Sequence, residues 1–136
     1  MIIRTARPDE LDAILDLWGA TGLGLRPTDA PGSLEGLIEN DPDALVVAEE
    51  DGRIVGTLIA AWDGWRGNMY RLGVLPQYRR RGIASELVRA GERHLFDCGS
   101  RRVVAAVGEE NSDATAFWRA VGYEMQDVHR LVKDLG

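Results

Sequence analysis

A chain of 136 residues with 45% hydrophobic and 28% charged residues has the size and composition of a single domain, 1–136, with a core that forms without staples. Its formal net charge of −6 argues against general nucleic-acid affinity, and no apolar run approaches the roughly 18 residues of a membrane span. The single cysteine, Cys98, leaves no internal disulfide and fits a reducing cytoplasm, and Arg4, Arg7, Asp9 and Glu10 interrupt any start resembling a signal peptide.

Ile2 to Ala6 is short and partly β-branched and predicts a first strand. Pro8 suits the first position of a helix, with Asp9 and Glu10 at its positive end. Leu11, Ile14, Leu15 and Trp18 then recur at helical spacing. Gly19 to Gly32, with four glycines and two prolines, reads as a flexible connection. Ser33 is a candidate cap for a short helix through Leu37 and Ile38. Ala44–Glu50 and Arg53–Trp62 read as strands joined by Asp51-Gly52, a strong hairpin signal. Asp63 to Asn68 is a polar loop, and Met69 to Val74 a further strand. Ile83, Leu87, Val88, Leu95 and Phe96 mark one face of a long helix, with Gly99 just past its end. Arg101–Val107 predicts a strand, Ser112–Val121 a helix stopped by Gly122, and Val128–Val132 a last strand. Hairpin-linked strands followed by β-α-β crossovers predict an α/β (α+β) fold. Its mixed, mostly antiparallel central sheet carries helices on both faces.

The segment "LGVLPQYRRRGIASELV", Leu72 to Val88, places three arginines between a strand and a helix in an acidic protein. A helix start presents unpaired N–H groups and the positive end of its dipole. Gly82 admits a close approach of the backbone to a ligand. Arg79, Arg80 and Arg81 add charge and donors. Together they predict an anion site suited to a phosphate or pyrophosphate. A P-loop is ruled out by the missing Lys-Ser/Thr pair, and a dinucleotide fingerprint by the missing glycines.

These residues resemble the acetyl-CoA loop of the GCN5-related N-acetyltransferase (GNAT) superfamily. That loop, Q/R-x-x-G-x-G/A after a Val-x-Pro-like turn, is matched by Val74-Leu75-Pro76 and Arg79-Arg80-Arg81-Gly82-Ile83-Ala84. A second motif of the superfamily is matched by Asn111, Ala114, Phe117, Trp118, Gly122 and Tyr123. The text "LRP" at Leu25 and "WDGWRG" near Asp63 resembles small stand-alone bacterial acetyltransferases of the YpeA type. The resemblance implies acetyl-CoA as cosubstrate and no metal. The backbone from Arg79 to Ala84 would hold the pyrophosphate. The strand Leu72, Gly73 and Val74 would pair with the pantetheine arm, with Gly73 as the bulge residue that opens the cleft. Asn111, Phe117 and Trp118 would line the cofactor. Relatives often dimerise, so a homodimer is a further expectation.

The chemistry is attack of a neutral amine on a thioester, which needs an acceptor for the amine proton and benefits from a donor to the departing thiolate. Relatives often place a tyrosine at the position of Trp118. An indole N–H donates a hydrogen bond but does not give up its proton near neutral pH, so Tyr70 becomes the candidate acid, with Tyr123 behind it. Glu109, Glu110 and Asp63 are the candidate bases. Arg26 and Arg66 are candidates for an acceptor carboxylate, Asp29 and Asp63 for an ammonium, and Trp62 and Trp65 for an apolar wall. His94 and His129 match no metal spacing. The expected function is an N-acetyltransferase acting on a small-molecule amine. The alternatives are a coenzyme A-binding regulatory domain that has lost turnover, a peptide N-terminal acetyltransferase and, disfavoured by charge, a nucleic-acid binder.

Overall fold

The computed structural model describes residues 1–107 and 112–136, with the Ser112 side chain also left out. Five strands, β1 (Ile2–Thr5), β2 (Leu45–Glu50), β3 (Arg53–Trp62), β4 (Gly67–Val74) and β5 (Val103–Ala105), form one sheet in chain order. The first three pairings are antiparallel and β4–β5 is parallel. The hairpin signal is realised: Asp51 and Gly52 both take positive φ, 54° and 76°, which is the backbone a two-residue turn between twisted strands requires.

The helices are α1 (Leu11–Ala20), α2 (Pro31–Asn40), α3 (Ile83–Cys98) and α4 (Ser112–Ala120). Pro31, rather than Ser33, begins α2, with Ala30 as the flanking residue; a proline at the first helical position loses no hydrogen bond and starts the helix by its fixed φ. α1 and α3 lie on opposite faces of the sheet. The alternation of β3 sets this: Thr57 points to Trp18 of α1, whereas Leu58 and Ala60 meet α3 at Gly91. A side chain at Gly91 would come within 2.8 Å of Leu58 and 2.9 Å of Met69, so glycine there sets how closely α3 approaches the sheet. Leu87 and Leu95 of α3 are fully buried, each contributing about 1.5–3 kcal/mol.

Met1–Ala106 and Val107–Gly136 form separate units, and the sheet lies wholly in the first. In the second, α4 ends before Gly122, whose φ is 102°. The strand expected at Val128–Val132 is not formed: this segment has no regular structure, and Val128, Leu131 and Val132 are 78%, 93% and 72% exposed. A strand is stabilised by its partner, and the sequence alternation here is broken by Arg130, leaving no continuous apolar face to dock. No helix among the described residues is long and apolar enough to cross a membrane.

Candidate active site

β4 and β5 stay together for only three residue pairs, Gly67 with Val103, Asn68 with Val104 and Met69 with Ala105. Buried Ser100 anchors this junction, accepting from Gly67 N–H at 3.0 Å and donating to the Arg102 carbonyl at 2.7 Å. The last link is Ala106 N–H to the Met69 carbonyl, 3.2 Å. Beyond it, Tyr70 to Val74 has no strand partner on that side among the described residues. Leu75 N–H donates to Val55 of β3, so alternation turns the backbone groups of Leu72 and Val74 to the open side. This is an edge of the kind an extended ligand arm can join.

The strand opens because it bulges. Thr57 pairs with Gly73 and Ile59 with Tyr70, so Leu58 faces both Arg71 and Leu72. The residue in the left-handed conformation is Arg71, φ 58°, and not Gly73 as expected. A non-glycine residue there is uncommon and needs compensation. Buried Trp18 donates its indole N–H to Thr57 Oγ1 at 2.8 Å, and the Thr57 hydroxyl donates to the Arg71 carbonyl at 2.9 Å. The Arg71 guanidinium donates to the Leu23 carbonyl at 3.0 Å and to Asp29 at 3.2 Å from Nε, with a second bond from Nη2. It also lies over the Trp18 ring at 5.3 Å. Gly73 has a different duty: a Cβ there would come within 3.0 Å of Leu23 Cδ1, so glycine lets the loop after α1 cover the strand.

At the end of β4, Pro76–Tyr78 forms one 3₁₀ turn. Arg79 Nε donates to the Val74 carbonyl at 3.0 Å, latching the turn onto the strand. Arg80 and Gly82 both take positive φ, 64° and 79°. Arg81 lies over the Tyr78 ring at 5.0 Å. Gly82 is the N-terminal flanking residue of α3 and brings no side chain to cap it. Glu86 N–H closes the first turn onto the Gly82 carbonyl, leaving the N–H groups of Ile83, Ala84 and Ser85 without intrahelical acceptors. Space in front of Gly82 is open: a Cβ there meets no atom within 4 Å. The three arginines thus do three things. Arg79 fixes the turn, Arg80 reverses the chain and Arg81 keeps positive charge at the helix start.

Tyr70 is 40% exposed, one residue beyond the last β4–β5 pair. Its register with Ile59 puts it on the face that carries Thr57. Asp63 and Arg66 sit at the other end of β4, in the β3–β4 turn. Asp63 accepts from Arg66 N–H at 2.6 Å, Trp65 N–H at 2.8 Å and Asn68 Nδ2 at 3.2 Å. The Arg66 amide, then the Trp65 amide, hold its carboxyl below the usual range. An acceptor of three hydrogen bonds with a depressed pKa is a turn organiser and a weak base. Arg66 stacks on exposed Trp65 at 4.1 Å. Asp29, expected to hold an ammonium, is committed to Arg71 and to the Arg26 N–H; Arg26 itself is exposed. In the second unit Trp118 is edge-on to Phe117 at 5.6 Å and to Tyr123 at 4.8 Å. Glu109, Glu110 and Asn111 lie outside the described residues.

Sequence reading missed Trp18, Thr57 and Arg71 as a group. A signal was present: Thr57 is the one hydrogen-bonding side chain in the run Ile54–Ala61, and Arg71 is a charge within a strand. Nothing local, however, says that a helix residue, a strand residue and a loop carboxylate meet.

Comparison with known proteins agrees with this geometry. A model of the acetyltransferase (GNAT) family matches residues 11–123. An acetyltransferase of Pectobacterium atrosepticum is 38% identical over 136 residues, covering 99% of this chain and 96% of the relative. One from Sodalis glossinidius is 38% identical over 140 residues, covering 98% of each. Among solved structures, the aminoglycoside acetyltransferase AAC(6')-Iy with a coenzyme A bisubstrate analogue superposes with TM-score 0.79 at 21% identity, covering 99% and 98% of the two chains. Ard1 from Thermoplasma volcanium superposes with TM-score 0.82 at 17% identity, covering 92% and 83%; at these identities both speak for the fold. The chain belongs to the acetyltransferase (GNAT) family and is an N-acetyltransferase.

Proposed function

We propose that the chain binds acetyl-CoA along the open edge of β4 and transfers its acetyl group to the primary amine of a small molecule. The observation that carries this reading is the continuity of the edge Leu72–Val74, which has no strand partner on that side among the described residues, with the reversed turn Arg80–Gly82 and the uncapped start of α3. One run of backbone offers strand-like hydrogen bonds to an amide-containing arm and then N–H groups with positive charge to a pyrophosphate. The AAC(6')-Iy neighbour, captured with a coenzyme A analogue of an aminoglycoside, supports a small-molecule acceptor.

The thioester supplies an activated acyl carbon. The acceptor nitrogen bonds to that carbon, the carbon–sulfur bond breaks, and one amine proton must leave. In this reading Tyr70, exposed one residue beyond the last β4–β5 pair, is the group that gives its hydroxyl proton to the departing sulfur. Asp63 is a poor candidate for the base because its lone pairs and pKa are already taken by its turn, so Glu109 becomes the base of this proposal. Arg26 and Arg66, in the two loops proposed to hold the acceptor, are the cations of this proposal for an acceptor carboxylate, and Asp29, which pairs with Arg71, is not its ammonium site.

Acetyl transfer measured across free amines, amino acids, aminoglycosides and peptide N-termini tests the reading. Turnover on at least one free amine is expected. In Tyr70→Phe, kcat should drop by about tenfold or more, a loss of ~1.4 kcal/mol, with acetyl-CoA affinity retained. Transfer to peptide N-termini alone would move the acceptor to the Ard1 type, and acetyl-CoA binding without turnover on any amine would favour a regulatory role.

A further inference from the structure

Asp41, His94 and Cys98 each offer one potential ligand atom, and these atoms lie within 4.8 Å of one another. The sequence gives only part of this. His94 and Cys98 are four residues apart on α3 and so stack on one face, whereas Asp41 comes from the end of α2. Its backbone N–H donates to the Leu37 carbonyl, and its Oδ1 accepts from Asp43 N–H at 3.2 Å. That leaves Oδ2 facing His94 Nε2 at 2.8 Å. Cys98 Sγ lies 3.8 Å from the same nitrogen.

Which nitrogen is used decides between two chemistries. A Cys–His–Asp nucleophilic relay needs the thiol on one ring nitrogen and the carboxylate on the other. Here both converge on Nε2, so no relay is formed. Convergence of sulfur, imidazole and carboxylate on one point is instead the arrangement of a metal site. Tetrahedral zinc with ligand bonds near 2.0–2.3 Å separates its ligand atoms by roughly 3.3–3.6 Å. The observed separations of 2.8 and 3.8 Å from His94 Nε2 lie on either side of that range, and all three atoms lie within 4.8 Å of one another, so adjustments of about an ångström, within the reach of side-chain rotation, bring them onto one ion. The adjoining surface hollow is lined by His94, Asp43, Asp97, Arg93 and Arg4. Arg4 is already paired with Glu10 and Glu49, so Asp43 and Asp97 outweigh Arg93 and favour a cation.

We propose that Asp41, His94 and Cys98 bind one thiophilic divalent cation, zinc by the chemistry of the donors, with solvent in the fourth position. Binding forms a metal–sulfur bond and releases the Cys98 thiol proton to solvent. The ion clips the turn between α2 and β2 to the last turns of α3. His94 is about 16 Å along the helix from Ile83, so the site is separate from the acetyl-transfer cleft.

Cobalt(II) and zinc titrations of the untagged, metal-free chain test it. One cobalt per chain should produce a near-ultraviolet thiolate-to-cobalt absorption that zinc displaces. Cys98→Ser and His94→Ala should each weaken zinc binding at least about tenfold. Zinc should also slow modification of Cys98 by a disulfide reagent. Cys98→Ser is nearly isosteric, and an unchanged thermal midpoint of its metal-free form separates a lost ligand from a lost fold. A cobalt spectrum without the thiolate band, or equal zinc affinity in wild type and Cys98→Ser, would overturn the proposal.

Discussion

The two ends of α3 solve the same problem in opposite ways. At its C-terminus, Gly99 takes φ 111°, its N–H reaches the carbonyls of Leu95 and Phe96, and Ser100 N–H bonds Leu95 again. The chain satisfies that end itself. At the N-terminus, Gly82 brings no cap and the first-turn N–H groups stay available. The 3₁₀ turn Pro8–Glu10 that leads into α1 sharpens the contrast: there Glu10 accepts from Arg7 N–H at 2.8 Å and pairs with Arg4, so the protein's own carboxylate takes the N–H at the head of the turn. A helix start that the fold leaves open, among arginines, is where a ligand's charge is expected. The dipole makes the opposite end of α3 the one that favours cations, and that is where Asp41, His94 and Cys98 gather.

The largest effect should come from closing the open end. Gly82→Glu forces a side chain into a left-handed position and puts a negative charge before the anion site. Calorimetry should show acetyl-CoA affinity down about a hundredfold, the ~2.7 kcal/mol of one or two charge-assisted hydrogen bonds. Unchanged affinity would remove the assignment of this loop. Next is the bulge that joins the open edge to the open end. Thr57→Val takes the acceptor from buried Trp18 and the donor from the Arg71 carbonyl. Chemical denaturation should show about 1–3 kcal/mol of lost stability, and acetyl-CoA affinity should fall with it, because Leu72 and Val74 lose their fixed direction.

Gly99→Ala tests the closed end. It should cost about 1–2 kcal/mol of stability for a left-handed alanine and leave acetyl-CoA binding as it was, so a drop in affinity would refute the independence of the two ends. The smallest effect belongs to the self-capped turn Pro8–Glu10 before α1. The hydrogen bond from Arg4 holds the Glu10 carboxyl at about 2, below its ordinary 4.5. The folded state therefore binds that proton more weakly than the unfolded one. Its stabilisation is complete above pH 4.5 and is lost as pH falls toward 2. Because solvent reaches the pair, Glu10→Gln should flatten the acid limb of a stability–pH curve by under about 1 kcal/mol.

Legibility followed locality. Asp51-Gly52 and Gly99 could be read because a turn or a helix end is a demand of neighbouring residues on their own backbone. The turn before α3 could be read for the same reason, since strand, proline, arginines, glycine and helix are consecutive. Arg71 as the bulge could not, because glycine is the locally cheap choice and Gly73 stood two residues away. What makes arginine tolerable there comes from Trp18, Thr57, Leu23 and Asp29, spread over three other segments. Asp29 and Asp63 looked like free carboxylates for the same reason, as charge shows in a sequence and its partners do not.

By itself, then, the sequence determined most of the elements, the mixed sheet and the position of the arginine turn before α3, because periodicity and turn chemistry act over a few residues. Tertiary structure alone decided where β4 parts from β5, which carboxylates are already spent, and that Asp41 meets His94 and Cys98. It also left Val128–Val132 out of the sheet. Each of these depends on which distant groups come within hydrogen-bonding reach, a distance that only the folded chain defines.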